Sequence, residues 1–297
     1  MAKKSKIGDW RFKPRLGGLL VCCVALVLTA FGIVIALATR SPPADRRPDA
    51  GLPASDELLE TARRLSTRGT KIIVIVIDDA GYSLTELEPF LALPFPLTIA
   101  VLPQLAHSSE SARRILEAGK ELILHQPMEA QGGQEPGPGA IFLRSSTAEA
   151  TRIVEANLDS LPGALGINNH MGSSVTRDEA LMTAVLELAK RRGIYYLDSL
   201  TTPGTATAFV AIRENMRLWE RSVFLDNSPD RASIIRLFEE GKKKSENGSP
   251  AVMIGHIWSS DLAATLQELY PVLAEEGFSL STISRLMIEE ADARSRR

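Results

Sequence analysis

The chain has 297 residues, of which 44% are hydrophobic and 24% are charged. This apolar content is enough to bury a core, so a wholly disordered chain is excluded. The net charge of −2 is unevenly distributed: residues 1–16 carry six Lys or Arg and one Asp, a charge of +5, which leaves −7 for the rest. A main domain of that sign lacks the basic surface that nucleic-acid binding requires, so no nucleic-acid partner is expected.

Residues 16–38 contain no charged side chain. A helix of that length is about 35 Å long, enough to cross a bilayer. The positive charges precede it, which predicts a cytoplasmic tail at residues 1–15, a transmembrane signal anchor at residues 16–39 and an exported remainder. A cleaved secretory signal is the alternative, because Ala36-Leu37-Ala38 resembles a cleavage site. The apolar run exceeds the usual hydrophobic region of about 7–15 residues, which favours the anchor.

A linker precedes the main domain. Residues 40–70 combine a Pro-rich stretch with a short amphipathic helix pattern.

Both cysteines, Cys22 and Cys23, lie in the apolar run. The exported part therefore has no disulfide and must be stabilised by a buried core. We expect a folded domain at residues 71–290 and a disordered tail at residues 291–297.

From residue 71 onward, short apolar runs alternate with amphipathic helical patterns. The runs predict strands at residues 72–77, 97–102, 121–125, 164–168, 194–198, 223–226 and 251–255. The helical patterns lie at residues 109–118, 147–158, 178–191, 231–243 and 262–275. This alternation favours parallel strands joined by right-handed crossovers. The predicted fold is α/β, an irregular (β/α) barrel of about seven parallel strands or an open doubly wound sheet.

Polar side chains stand where the predicted strands end. Asp78 and Asp79 follow the first strand, His125 ends the third, residues 168–170 (Asn-Asn-His) end the fourth, and His256 follows the last. Three of the four histidines of the chain therefore fall at strand ends. Because ligands of α/β folds bind at the carboxyl ends of the strands, we expect these side chains to share one rim.

Asp78 and Asp79 follow a continuous run of β-branched residues. A buried carboxylate is costly unless it is paired, hydrogen-bonded or bound to a metal. Neighbouring strand residues point to opposite faces, so one carboxylate is expected to bind a metal and the other to orient or deprotonate water. The alternative is a single Asp that caps the next helix. Asp198 and Asp226 also end strands, and either could cap the following turn.

The other strand ends carry groups suited to a metal or a sugar. His125 and Glu129, four residues apart, could reach one cavity, although a single buried histidine is more often structural. One stretch offers two amides and a hydroxyl that could hold an acetamide or form an ordinary polar turn: Asn168, Asn169 and Ser173. Trp258 could stack on a sugar face or fill the core.

Together, these residues offer imidazoles and carboxylates around one pocket. That is the ligand set of a catalytic Zn²⁺ or a similar divalent ion with one position open to water. Such an ion lowers the pKa of its bound water towards neutrality. The combined pattern favours a metal-dependent hydrolase over a metal-free binding fold. A phosphatase built on Asp78 and Asp79 is disfavoured, because the sequence has no Gly-rich phosphate loop.

Five segments resemble those of the divergent polysaccharide deacetylases, a remote branch of the carbohydrate esterase family 4 superfamily. In chain order they are residues 77–81, 125–129, 168–173, 224–227 and 254–256. The resemblance extends over residues 71–287. It implies an irregular (β/α) barrel that removes acetyl groups from N-acetylated sugars with the help of a divalent metal. Asp78 would be the catalytic base and His256 the general acid.

The resemblance also implies metal ligands. Asp79 and His125 would hold the ion, which is expected to be zinc. The family motif has a second histidine four residues after the first, and Glu129 stands there instead. The third ligand is therefore Glu129 or His170, and His170 is the expected one. The residues left to bind the substrate are Glu129, Asn168, Asn169, Ser173 and Trp258.

The implied activity is hydrolysis of an amide C–N bond on an envelope or exported polysaccharide, so the expected partner is an acetylated glycan. The expected location is the bacterial inner membrane, crossed once by the N-terminal helix, with the main domain in the periplasm. The altered second ligand keeps another class open. That alternative is a catalytically inactive, membrane-anchored envelope protein with a binding or regulatory role that retains the deacetylase fold.

Overall fold

The computed structural model describes residues 71–296, in which nine strands alternate with eight α-helices. The strands are β1 (Lys71–Ala80), β2 (Thr98–Val101), β3 (Glu121–Met128), β4 (Gly166–Met171), β5 (Tyr195–Asp198), β6 (Leu218–Glu220), β7 (Val223–Phe224), β8 (Ala251–His256) and β9 (Phe278–Ser281). The helices are α1 (Leu84–Leu91), α2 (Ser108–Glu117), α3 (Thr147–Asp159), α4 (Glu179–Arg192), α5 (Thr207–Arg213), α6 (Arg231–Ser245), α7 (Leu262–Glu275) and α8 (Ile283–Ser295).

All the strands belong to one parallel sheet, in the order β6-β5-β4-β3-β2-β1-β8-β7, with β9 beside the first half of β1. Although β6 and β7 stand at the two ends of this order, only two residues separate them. Arg221 donates its N–H to the Asp198 carbonyl of β5, and Ser222 donates its N–H to the Val252 carbonyl of β8. The sheet is therefore curled, as in the α/β barrel that the sequence predicts.

The apolar run of β1 is buried on both faces. Ile73, Ile75 and Ile77 pack in a cluster that contains most of the buried helix residues, whereas Val74 and Val76 belong to a second cluster. The second cluster is formed by side chains of β1, β2, β3, β5, β6 and β8 together with two residues of α8. A strand covered on both sides has no polar face, which is why this run shows no alternation in the sequence.

Glu121, the first residue of β3, is a buried carboxylate at the amino ends of the strands. Its Oε1 accepts hydrogen bonds from the hydroxyls of Thr98 (3.0 Å) and Tyr195 (2.6 Å), which begin β2 and β5. Its Oε2 accepts from the backbone N–H (3.3 Å) and the hydroxyl of Ser284, in the first turn of α8. The carboxylate thus ties the C-terminal helix to the sheet and satisfies an N–H at the helix start.

We expect Glu121→Ala to lower the free energy of unfolding by about 3 kcal/mol, because several buried donors lose their acceptor together. Urea denaturation of the purified protein measures this change. Glu155→Ala is the control, because Glu155 is an exposed carboxylate bonded to Arg192 (3.2 Å) and its loss should change stability little. Equal losses in the two variants would contradict the role assigned to Glu121.

The seven predicted strands and five predicted helices are all present, with bounds that differ by up to three residues. The expectation of about seven strands is wrong in number, because β6 and β9 were not predicted; their sequences, LWE and FSLS, contain no continuous apolar run. α1 was not among the predicted helices. It contains Pro89, and proline is typical of a helix end rather than a helix interior. α8 continues to Ser295, into the stretch of residues 291–297 for which a disordered tail was expected.

Among residues 71–296, no helix combines the length and the apolar character needed to cross a membrane. The predicted cytoplasmic tail (residues 1–15), anchor (residues 16–39) and linker (residues 40–70) lie outside the described residues.

Candidate metal centre and active site

A β-bulge at the end of β1 brings Asp78 and Asp79 to the same place. Ile77 pairs with Ile99 of β2, but Ala80 pairs with Val101, so β1 contains one extra residue. Asp79 adopts a left-handed φ of 68°, which is unfavourable for a residue other than glycine. The expectation that the two carboxylates point in opposite directions is therefore wrong, because it assumed an unbroken pleat.

The register of β3 and β4 sets the next group of side chains. His125 pairs with Asn168, and His170 lies two residues further along β4. Residues at i and i+2 of a strand share a face, so Asn168 and His170 face the same side and Asn169 faces the other. His125 Nδ1 lies 2.7 Å from Asn168 Oδ1.

Three potential ligand atoms converge at this rim. His125 Nε2 lies 3.1 Å from Asp79 Oδ1 and 3.2 Å from His170 Nδ1, and His170 Nδ1 lies 3.0 Å from Asp79 Oδ1. Asp78 Oδ2 is 3.7 Å from His125 Nε2. Among the residues described, the three form a group that could hold a metal ion.

The hydrogen bonds around His125 test whether these residues fit a cation. The Asn168 amide nitrogen donates to Asp78 Oδ1 (2.7 Å), so the Asn168 Oδ1 faces His125 Nδ1 and accepts a hydrogen bond from its N–H. The Nε2 atom of a neutral His125 then directs its lone pair towards Asp79 Oδ1. These two acceptors repel unless a proton on Nε2 or a metal cation lies between them. The set of two imidazoles and one carboxylate fits a catalytic divalent ion such as Zn²⁺.

Burial and charge set the protonation of this cluster. Burial raises the pKa of Asp78, and His125 and His256 offset this only in part. Burial opposes ionisation of Asp79, but hydrogen bonds from His125 and His170 hold its pKa far below the ordinary value. Burial alone would lower the pKa of His125, yet Asp78 and Asp79 raise it to about 9. The cluster therefore favours a positive charge at its centre.

His256 lies beside this cluster, because it pairs in register with Asp78 at the end of β8. Asp226, two residues after β7, is buried and accepts from the His256 backbone N–H (2.7 Å) through Oδ2 and contacts His256 Nδ1 (2.9 Å) through Oδ1. Gly255, the residue before His256, lets Leu262 pack closely against β8, since a Cβ there would lie 2.4 Å from a side-chain carbon of Leu262. The sequence left open whether Asp226 caps a turn or belongs to the site. In the structure, Asp226 is the hydrogen-bond partner of His256.

Trp258 stands at the same rim. Its indole N–H donates to Asp79 Oδ2 (3.0 Å), and its ring stacks on His256 with centroids 4.9 Å apart. Half of the residue is exposed. The sequence did not predict its contact with Asp79.

Asn169 does not join the cluster. Its side chain is buried, accepts the Ser199 backbone N–H (2.9 Å) and donates to the Met171 carbonyl (2.8 Å). These bonds hold the turn after β5 against the end of β4. Asn169 therefore binds backbone groups of the protein and does not face the cluster, where it was expected to bind the substrate.

Glu129 and Ser173 hold loops. Glu129 Oε2 accepts the backbone N–H of Leu143 (2.8 Å), and Ser173 Oγ accepts that of Gln131 (2.8 Å). Glu129 is not part of the group that could hold a metal, whereas His170 is. Of the two ligands that the sequence left open, the geometry favours His170.

The family model of the divergent polysaccharide deacetylases matches residues 75–287. The chain belongs to this family, and the Asp, His and His cluster lies within the matched region.

Two uncharacterized bacterial proteins are similar in sequence. YibQ of Escherichia coli K12 is 31% identical over 198 residues, which cover 67% of this chain and 62% of that protein. A protein of Haemophilus influenzae Rd is 29% identical over 184 residues, covering 62% of this chain and 66% of that one. The match thus spans less than two thirds of either relative.

A crystal structure of an uncharacterized protein from Agrobacterium tumefaciens C58 has the same fold. Its TM-score is 0.67 at 18% identity, and the alignment covers 72% of this chain and 88% of that one.

Proposed function

We propose that the protein is a metal-dependent hydrolase that removes N-acetyl groups from a polysaccharide of the cell envelope. The observation that carries the proposal is the convergence of Asp79 Oδ1, His125 Nε2 and His170 Nδ1 within 3.2 Å of one another, beside a second carboxylate. Membership of the deacetylase family supports a polysaccharide substrate. Zinc suits the nitrogen-rich ligand set.

Asp78 acts as the base in this proposal. Its Oδ1 accepts the Asn168 amide, while its Oδ2 lies near the ligand atoms. Burial raises the pKa of Asp78, so it retains a proton taken from water better than an exposed carboxylate would. A divalent ion, when bound, would polarise the acetamide carbonyl and lower the pKa of water there.

His256 is the proposed acid. Asp226 holds its Nδ1, which directs a protonated Nε2 away from Asp226 and leaves it free to donate to the departing amine. Because His256 and Asp78 pair on adjacent strands, the acid and the base stand at one rim.

The test of this proposal is product release from acetylated glycans. The zinc-loaded protein should release acetate and free amine in equal amounts from chitin oligomers or muropeptides. Asp78→Asn should slow the release by about 10²–10⁴-fold. A protein that binds zinc but releases neither product would favour the inactive binding protein.

The proposal also places the protein in the inner membrane, with residues 16–39 as anchor and the main domain in the periplasm. Its support is the uncharged run at residues 16–38, preceded by positive charge. Alkaline phosphatase fused after residue 297 should be active, because its disulfides form only outside the cytoplasm. An inactive fusion would contradict this orientation.

A further inference from the structure

Trp258 lies in the turn after β8, and the strand that carries the two aspartates holds this turn in place. Ile257 donates its N–H to the Asp78 carbonyl (3.0 Å), and Ser259 donates its N–H to the His256 carbonyl (3.1 Å). The backbone at Trp258 is therefore fixed relative to the bulge of β1. The indole itself lies against Asp79 and His256.

The indole contacts both halves of the proposed site. Its Nε1–H donates to Asp79 Oδ2 (3.0 Å), while Asp79 Oδ1 faces His125 and His170. Its ring stacks on His256 at an interplanar angle of 18°. Asp79 Oδ1 thus contacts the two imidazoles, and Asp79 Oδ2 contacts the indole.

We propose that Trp258 is a positioning residue of the metal centre, whose N–H occupies Asp79 Oδ2 so that the carboxylate binds the cation through Oδ1 alone. This inference rests on the proposed function. An indole N–H only donates, so Trp258 can orient the carboxylate without becoming a ligand or accepting a proton. Hydrogen bonds to a ligating carboxylate fix its direction and raise metal affinity. Asp79 needs such support, because its backbone lies in the left-handed region.

This role differs from the sugar platform that the sequence predicts for Trp258. A platform requires only an aromatic face, which phenylalanine also provides, whereas positioning requires the N–H. Trp258→Phe therefore removes the positioning contact and keeps a ring beside His256. Trp258→Ala removes both.

The experiment compares Trp258→Phe, Trp258→Ala and the control Trp219→Phe in the purified full-length chain. Trp219 is buried in the second core cluster, under Arg217, and does not contact Asp79. Zinc affinity, measured by competition with a chromophoric chelator, should fall about 10–100-fold in both Trp258 variants. The Trp219 variant should bind zinc as the wild type does. A rise in KM confined to Trp258→Ala would show that the ring contacts the substrate in addition to the positioning contact made by the N–H.

Two spectroscopic readouts separate positioning from simple packing. With Co²⁺ as the probe, Trp258→Phe should change the visible absorption spectrum, because Asp79 becomes free to bind through both oxygens. Zinc should change the indole emission of the wild type and of Trp219→Phe but not that of Trp258→Phe. Trp10 is present in every variant and gives a constant background.

Wild-type zinc affinity and cobalt spectrum in Trp258→Phe would overturn this inference while leaving the proposed function intact. Weaker binding in Trp258→Ala alone would assign the effect to the ring and would likewise overturn it. A wild-type chain that binds neither metal would overturn the proposed function, and this inference with it.

Discussion

We expect His125→Ala to abolish divalent-metal binding and the hydrolysis that depends on it. His125 is 2% exposed, and its Nε2 lies 3.1 Å from Asp79 Oδ1 and 3.2 Å from His170 Nδ1. The variant loses one of three ligands and also the imidazole that contacts both Asp78 and Asp79. The loss of affinity should exceed the roughly 10–100-fold typical of partners outside the ligand set. Calorimetric titration with zinc measures it.

Asp79→Asn provides an independent arm of this prediction. The amide keeps the shape of the side chain but removes the negative charge that holds a cation, so zinc affinity should again fall sharply. The matched control is Asp159→Asn at the end of α3, whose exposed carboxylate bonds to Arg192 (2.8 Å). It should bind zinc as the wild type does. Unchanged zinc binding in both His125→Ala and Asp79→Asn would show that the cation binds elsewhere.

The second large effect concerns His256 and the pH dependence of turnover. Burial alone lowers the pKa of His256, but the hydrogen bond and charge of Asp226, together with the charges of Asp78 and Asp79, raise it above the ordinary value. A general acid works only when protonated, so kcat should fall as the pH rises through this pKa. His256→Ala should lower kcat by about 10²–10⁴-fold.

Asp226→Asn should shift the alkaline fall of kcat to lower pH. The amide removes the negative charge that stabilises protonated His256, so the pKa of His256 decreases and the acid is lost earlier. Asp198→Asn is the matched control: Asp198 is also buried at a strand end, but it bonds to the Leu200 N–H (2.8 Å) and the Thr207 hydroxyl (2.6 Å). Its pH profile should match that of the wild type. A wild-type pH profile in Asp226→Asn would show that Asp226 does not set the pKa of His256 during turnover.

Much of the site could be predicted, because parallel strands bring their carboxyl ends to one edge. The buried runs of β1, β3 and β8 are plain in the sequence, and their polar ends place Asp79, His125 and His256 at a common rim. The preference for His170 over Glu129 also agrees with the geometry. His170 faces the cluster because it is two residues from Asn168, on the same face of β4.

The rest depends on local irregularity and tertiary contact. The bulge that turns Asp78 and Asp79 to one place breaks the alternation on which a sequence argument depends. Asn169 faces away from the cluster, a fact that follows from the strand register and not from its residue type. Asp226 is 30 residues from His256 and Trp258 is 179 residues from Asp79, so no short motif links either pair.

The measurement that tests the central claim most directly is the metal content of the purified full-length chain, compared with His170→Ala and Glu129→Ala. We predict about one divalent ion per chain in the wild type and in Glu129→Ala, and none in His170→Ala. A folded wild type without metal, or full loading in His170→Ala with loss in Glu129→Ala, would contradict it.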